Sequence, residues 1–188
     1  MPEPLVLPTI TNGEHTLREW SHDDIEVLRE AATDPYIPAI TTVPQPFDPA
    51  TAAAYIDRQK DRARAGTGYS FVVVEGSRPI GNIGPWLRDL DLGRASIGYW
   101  LVPSARGKGT ATRILTTLSD WAFATLHIPR LELYVEPWNT ASLRAAQKAG
   151  FREEGLLRSW QEIGDNRADM LMFSRIRSDT DQTRNRNG

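Results

Sequence analysis

The feature that most constrains the fold is a strand, a glycine-rich loop and a helix in direct succession. Residues 95–102 are mainly apolar and aromatic and predict a buried strand. The loop that follows contains Gly107 and Gly109, and the next segment repeats apolar residues at intervals of three and four. These residues are Ala111, Ile114, Leu115, Leu118, Trp121, Ala122 and Leu126. The spacing predicts a helix with one buried face, so the loop connects two elements of one core.

The composition of this loop indicates a phosphate-binding site. Glycines allow neighbouring backbone amides to converge, and the start of a helix adds the positive end of its dipole. An ordinary strand-to-helix turn would have the same composition, and the loop alone does not decide between the two. Two other phosphate loops are excluded. Lys108 precedes a glycine where the nucleoside-triphosphate loop needs Ser or Thr, and Thr112 stands where the dinucleotide fingerprint needs a third glycine.

The remaining segments predict a single mixed domain, α/β or α+β in class, over residues 9–177. Segment 36–47 contains three prolines and predicts an ordered loop. The other predicted elements, in order, are a strand at 15–20, a helix from Ser21 or Asp23 to Asp34, a helix at 49–65, strands at 70–75, 80–86 and 95–102, the helix after Gly109, a strand at 131–135, a helix at 140–149 and strands at 155–163 and 168–176. Residues 1–8 and 178–188 predict loose polar tails.

The composition excludes several classes of function. With 22 basic and 24 acidic residues the formal net charge is −2, so the chain lacks the basic character of nucleic-acid or anionic-membrane binders. Cysteine is absent and the three histidines are scattered, so we expect no metal site. No apolar run approaches the roughly 20 residues of a membrane span. The first residues contain no signal segment, and we therefore expect a cytoplasmic protein.

The motif Arg106-x-x-Gly109-x-Ala111 resembles the Gln/Arg-x-x-Gly-x-Gly/Ala pyrophosphate motif of the GNAT superfamily of N-acetyltransferases. The segments 97–101 (Ile-Gly-Tyr-Trp-Leu), 139–142 (Asn-x-x-Ser) and 150–155 (Gly-Phe-x-x-Glu-Gly) are similar to the ribosomal-protein N-terminal acetyltransferases, the RimJ/RimL group. The resemblance covers about residues 16–176. It implies the acyl-CoA N-acyltransferase fold, a mixed and mostly antiparallel sheet that is splayed between its fourth and fifth strands and flanked by helices.

This resemblance implies acetyl-CoA as the cofactor and CoA as a product. Backbone groups of Leu101 and Val102 would bond the pantetheine arm within the splay, and Asn139 and Ser142 would also contact the cofactor. Arg144 would reach a second phosphate, although an exposed helical arginine is usually only solvated. The residues that would hold the pyrophosphate are Arg106, Gly107, Lys108, Gly109, Thr110, Ala111 and Thr112.

Acyl transfer to an amine needs a donor for the developing oxyanion and a proton for the departing thiolate. In the family, a strand amide near Leu101 or Val102 is the oxyanion donor. Many members protonate the thiolate with a tyrosine where this chain has Ala146, whereas Ser142 matches the serine of the ribosomal-protein group. An ordinary first-turn helix serine is the alternative interpretation of Ser142.

The general base is the weakest part of the resemblance. Relatives often carry a glutamate where this chain has Ser96. The ribosomal-protein group carries another at a position that aligns with Gln161, and Glu162 is its neighbour. Glu162 is our candidate base, and Glu132 and Glu136 could act through water.

The acceptor side would be covered by the loop that contains Asp34 and Tyr36, whose acidic group would attract a cationic amine. Trp100 and Trp160 could line the acceptor cleft, although core packing is the better explanation for each taken singly. A site without a strong base favours an N-terminal α-amine, with a pKa of about 7.7–8.0, over a lysine at about 10.4.

The sequence therefore predicts an N-acetyltransferase that acts on the N-terminus of a protein or peptide. An enzyme for a small amine, such as an aminoglycoside or a polyamine, is the first alternative. A non-catalytic acyl-CoA-binding sensor is the second. Whether the protein forms a homodimer is left open.

Overall fold

The computed structural model describes residues 4–178, which build an eight-stranded sheet with helices on its faces. The strands are β1 (Ile10–Asn12), β2 (His15–Arg18), β3 (Phe71–Glu75), β4 (Arg78–Trp86), β5 (Arg94–Leu101), β6 (Arg130–Val135), β7 (Arg152–Ile163) and β8 (Asn166–Ile176). The helices are α1 (Ile25–Ala31), α2 (Tyr36–Ile40), α3 (Pro49–Arg64), α4 (Thr110–Thr125) and α5 (Thr140–Lys148). The strand order across the sheet is β1-β2-β3-β4-β5-β6-β8-β7.

The sheet is antiparallel except where β5 meets β6. These two strands pair only from Arg94↔Arg130 to Ser96↔Glu132, and from Ile97 onward β5 has no strand partner on that side among residues 4–178. On its other side β5 pairs with β4 as far as Leu101. The splay predicted between the fourth and fifth strands is confirmed. These strands are β5 and β6 here, because β1 adds one strand at the start.

The contact between β4 and β5 depends on a glycine. A Cβ atom at Gly81 would lie 2.2 Å from the Trp100 carbonyl oxygen, so no larger residue fits between the two backbones. Hydrogen bonds to β4 and this close approach fix β5 in position. The open side of β5 is therefore held in place by the sheet behind it.

The helix after the glycine-rich loop packs as its spacing predicts. The buried residues of α4 include Ile114, Leu115 and Leu118, all at most 1% exposed. Trp121 contacts the same core edge-on, with ring centroids 4.9 Å from Tyr69 and 5.5 Å from Phe71. No helix in the described residues is long and apolar enough to cross a membrane.

Segment 36–47 differs from its prediction as a loop, because it begins with the short helix α2. The Asp34 carboxylate accepts hydrogen bonds from the amides of Tyr36 and Ile37 and so caps this helix. Pro38 is tolerated because it lies in the first turn, where an amide has no intrahelical partner.

The ends of the domain also differ from their prediction. Strand β1 was missed, since its three residues are too short for a periodic signal. The Leu5 amide donates to the Ala63 carbonyl oxygen at 2.8 Å, and Leu5 and Leu7 pack against the core. Residues 4–8 are therefore not a loose tail. Residues 1–3 and 179–188 of the predicted tails lie outside the described part of the chain.

Candidate functional site

A cleft of about 1290 Å³ opens where β5 and β6 separate. Its walls come from β5 and β6, from α2 and α3 on one side, from the start of α4 and from one face of α5. Small-molecule sites usually measure about 300–1,000 Å³, so this cleft has room for a large cofactor and part of a second molecule.

The backbone of β5 offers an unpaired hydrogen-bond donor to this cleft. The Val102 amide donates to the Ile80 carbonyl oxygen at 3.0 Å, on the β4 side. Because alternate amides of a strand point to opposite sides, the amides of Leu101 and Tyr99 face the gap toward β6. The Leu101 carbonyl oxygen accepts from Arg106 Nε at 2.9 Å. Of the two predicted backbone donors, Leu101 is thus available and Val102 is already engaged with β4.

The glycine-rich loop forms a cradle at one end of the cleft. Gly107 and Gly109 have φ angles of 80° and 78°, in the left-handed region that favours glycine. Helix α4 starts at Thr110 without a side-chain cap, so its first amides have no intrahelical partner. The Thr110 hydroxyl is buried and has no hydrogen-bond partner among the described residues. Free amides, a helix dipole and an orphaned hydroxyl fit the pyrophosphate of a CoA cofactor.

Arg106 anchors this loop to the helix across the cleft. Its Nη1 lies 2.7 Å from Asp34 Oδ2, and Asp34 also accepts the two α2 amides. Burial alone would raise the pKa of Asp34, but the amides of Ile37 and Tyr36 and the Arg106 guanidinium hold it below its ordinary value. The Asp34 carboxylate is therefore charged and fully engaged. It is not free to attract an amine in the way that the sequence suggested.

Ser142 and Tyr99 form a hydrogen-bonded pair inside the cleft. Asn139 caps α5, and its Oδ1 accepts from the Ser142 amide at 3.2 Å. The Tyr99 hydroxyl donates to Ser142 Oγ at 3.0 Å. Burial raises the pKa of Tyr99, so the phenol keeps its proton at neutral pH. The proton of Ser142 itself remains available for another acceptor. Sequence reasoning missed Tyr99, whose only signal was its alternation with Leu101 along a strand.

Tyr36 forms a second pair with a carboxylate. Its hydroxyl donates to Glu136 Oε2 at 2.5 Å, and its ring packs edge-on against Trp138 with centroids 4.8 Å apart. Burial, followed by the hydrogen bond to Glu136, raises the pKa of Tyr36. Tyr36 lines the cleft, and Glu136, which does not line it, is hydrogen-bonded to Tyr36.

The other candidate bases have different surroundings. Glu132 is 3% exposed and accepts hydrogen bonds from Arg130 Nε and the Tyr134 hydroxyl, both at 2.7 Å. It does not line the cleft, whereas Glu162 and Gln161 of β7 do. Among the described residues that line the cleft, the carboxylates are those of Asp34 and Glu162.

The remaining predicted residues divide between core and cleft. Trp100 is 4% exposed, donates from Nε1 to the Tyr55 hydroxyl at 3.2 Å and contributes to the cleft wall. Trp160 is 51% exposed and stacks on Tyr134 outside the cleft lining. Arg144 is exposed on the cleft face of α5. Lys108 is exposed in the loop, and its carbonyl oxygen accepts from Arg113.

Comparison with known proteins agrees with this architecture. Residues 15–152 match the family model described as the acetyltransferase (GNAT) domain. The uncharacterized N-acetyltransferase p20 of Bacillus licheniformis is 31% identical over 173 residues, which are 91% of this chain and 97% of that protein. RimJ of Mycobacterium smegmatis, solved with CoA-disulfide, superposes with a TM-score of 0.79 at 24% identity, covering 92% of this chain and 88% of that one. RimL, a ribosomal α-N-protein acetyltransferase, superposes with a TM-score of 0.76 at 18% identity, covering 91% and 95%.

The fold and the cleft define an N-acetyltransferase. The chain belongs to the GNAT family of acetyltransferases, and the family and fold predicted from sequence are confirmed. Acetyl-CoA is the acetyl donor of this family, and the cradle at the start of α4 has the chemistry to hold it.

The cradle predicts a specific response to CoA. Ligand at about 100 times its Kd stabilises the folded chain by about 2.7 kcal/mol, which corresponds to a rise in Tm of about 5–10 °C for a domain of this size. Gly109→Glu should abolish this rise, because the change adds negative charge to the cradle and strains a left-handed backbone position.

The matched control is Gly76→Glu, which introduces the same strain at φ 60° in the β3–β4 turn, outside the cleft. This variant should keep the CoA-dependent rise. A wild-type melting curve unmoved by excess CoA, or an equal rise in Gly109→Glu, would contradict the assignment.

Proposed function

We propose that the chain transfers the acetyl group of acetyl-CoA to the N-terminal α-amine of a protein or peptide. The proposal rests on the charged side chains that line the cleft. In the described part of the chain, the cationic side chains that line the cleft are those of Arg58, Arg62, Arg106, Arg144 and Lys148. The carboxylates are those of Asp34 and Glu162, of which Asp34 is engaged by Arg106.

Such a cleft is poorly suited to a polycation. Aminoglycosides and polyamines carry several positive charges, and the described residues of the lining offer them a single unengaged carboxylate, Glu162, among several cations. The small-polycation alternative is therefore disfavoured. RimL shares the fold, which supports the view that this architecture can accommodate an N-terminal α-amine.

The scarcity of carboxylates also bears on the ionisation of the acceptor. A site without a strong base must capture an amine that is already neutral. At pH 7 about a tenth of an α-amine is neutral, whereas the neutral fraction of a lysine side chain is below about a thousandth. An N-terminal amine therefore fits this cleft better than a lysine.

The side chains and backbone of the cleft supply the remaining requirements. Acetyl-CoA, when bound, supplies the acetyl group as a thioester. The Leu101 amide faces the gap between the strands and can donate to an oxygen placed there. Ser142 accepts a hydrogen bond from Tyr99 and can pass its own proton to the leaving thiolate while it takes the proton of Tyr99. The proton that the attacking amine releases then restores the phenol, so no serine alkoxide is left. Asn139 holds Ser142 at the start of α5.

This role of Ser142 makes a kinetic prediction. Ser142→Ala should lower kcat about tenfold or more with little change in the KM for acetyl-CoA, because the hydroxyl matters mainly in the transition state. Tyr99→Phe removes the donor that orients Ser142 and should lower kcat by a smaller factor. Steady-state kinetics separate the two parameters.

Ser77→Ala is the control for this series, since Ser77 is exposed in the β3–β4 turn away from the cleft. Its kinetics should match wild type. A folded Ser142→Ala variant with unchanged kcat would leave Ser142 as an ordinary residue of the first helical turn.

The acceptor itself is tested with two peptides whose sequences match except at one position. One has a free N-terminus and no lysine, and the other has a blocked N-terminus and a single lysine. The free N-terminus should be acetylated about two orders of magnitude faster, as judged by kcat/KM. The pH profile should rise with the pKa of the acceptor used.

Two results would contradict the proposal. A profile governed by one group near pH 6–7, whatever the acceptor, would indicate an enzyme base, with Glu162 and Glu136 the first residues to mutate. A strong preference for aminoglycosides or polyamines would assign the enzyme to small amines. Either result leaves the fold and the cofactor assignment intact.

A further inference from the structure

Arg62 of α3 is a largely buried arginine with no acidic partner among the described residues. Its Nε is buried without a hydrogen-bond acceptor. Its Nη1 and Nη2 reach Gln59 Oε1 and the Pro85 carbonyl oxygen only at 3.5 Å each. Burial lowers the pKa of Arg62 to about 10, which still leaves the guanidinium charged at neutral pH. A charge removed from water in this way is costly unless a partner of opposite sign is supplied.

A tryptophan fixes the plane of this guanidinium. The Arg62 Cζ lies 3.4 Å from the centroid of the Trp86 ring, and Arg88 approaches the same ring at 4.5 Å. Arg62 and Trp86 line the cleft, whereas Arg88 does not. The cleft also contains Arg58, one helical turn before Arg62 on α3. The two arginines therefore present adjacent positive charges to one region of the cleft.

This region lies at the end of the cleft away from the cradle. The backbone of Trp86 pairs with Ser96, and its indole Nε1 reaches to 4.0 Å from where a Cβ atom at Gly98 would lie. Leu101 at the cradle end is three residues further along β5 than Gly98, a separation of about 10 Å at about 3.4 Å per residue. The available carboxylate of the lining, Glu162, belongs to β7, and Asp34 is engaged by Arg106. An anionic ligand is therefore the missing partner at this end.

We infer that Arg62, together with Arg58, forms a subsite for an acidic side chain near the N-terminus of the acceptor peptide. The planar guanidinium of an arginine can donate two parallel hydrogen bonds to a carboxylate. Stacking on Trp86 holds the Arg62 guanidinium in one orientation. The inference rests on the proposed function, because it takes the acceptor to be a peptide.

The position of the acidic residue follows from the length of the cleft. The Leu101 amide, which is the proposed oxyanion donor, is three residues along β5 from Gly98, beside which the Trp86 indole lies, a distance of about 10 Å. An extended peptide spans this distance with about three residues. The subsite therefore selects Asp or Glu at the second to fourth position of the acceptor.

The test compares peptides with a free N-terminus that differ only by Glu or Gln at position 2, 3 or 4. At one of these positions wild-type enzyme should show a kcat/KM at least tenfold higher for Glu. Arg62→Met should reduce this preference to about twofold or less, mainly by slowing the Glu peptide. Arg62→Lys keeps the charge without the fork and should have an intermediate effect.

Arg88→Met is the matched control. Arg88 also packs against Trp86 but does not line the cleft, so this variant removes one positive charge next to the same tryptophan. The enzyme should keep its preference for the Glu peptide. If Arg62→Met does not fold, Arg58→Met tests the same subsite and should reduce the preference about threefold.

Peptide binding in the presence of CoA, followed by tryptophan fluorescence, separates this inference from the proposed function. Equal kcat/KM for Glu and Gln peptides at all three positions would overturn the subsite and leave the function standing. Tighter binding of a Glu peptide that Arg62→Met abolishes, with no acetylation of either peptide, would support the subsite and contradict the function. Absence of both binding and acetylation would overturn both.

Discussion

The structure depends on a strand that loses its partner on one side. From Ile97 to Leu101, β5 is paired with β4 but not with β6. Backbone amides inside a sheet normally find a partner, and leaving them without one is costly. In β5 the amides without a strand partner are those of Tyr99 and Leu101. The strand is held in place by its pairing with β4 and by the close approach at Gly81. The cleft, its free amide donor and the room for a cofactor all follow from this single interruption in strand pairing.

One ion pair connects the two functional parts of the cleft. Arg106 belongs to the cradle, and it contacts both the Leu101 carbonyl oxygen and the Asp34 carboxylate. Asp34 in turn caps α2, which contains Tyr36 of the cleft wall. The loop, strand β5 and helix α2 are therefore held by a shared set of hydrogen bonds. The arginine of the sequence motif has a positioning role that the motif alone does not suggest.

The parts of the site that were predictable are those set by local spacing. The buried face of α4 and the succession of strand, glycine loop and helix could be predicted because each depends on residues a few positions apart. The contacts of Tyr99 with Ser142 and of Tyr36 with Glu136 join residues 43 and 100 positions apart, so no local pattern could reveal them. For the same reason the engagement of Val102 with β4, and of Asp34 with Arg106, became visible only once the strands and loops were placed.

Amide hydrogen exchange along β5, measured by NMR with and without CoA, tests the central claim most directly. The amides of Trp100 and Val102 face β4 and should exchange slowly in both states. The amides of Tyr99 and Leu101 should exchange rapidly in the free protein and at least tenfold more slowly when CoA is bound. Slow exchange of both in the free protein, or no change on adding saturating CoA, would contradict the account of an open strand edge that receives the cofactor.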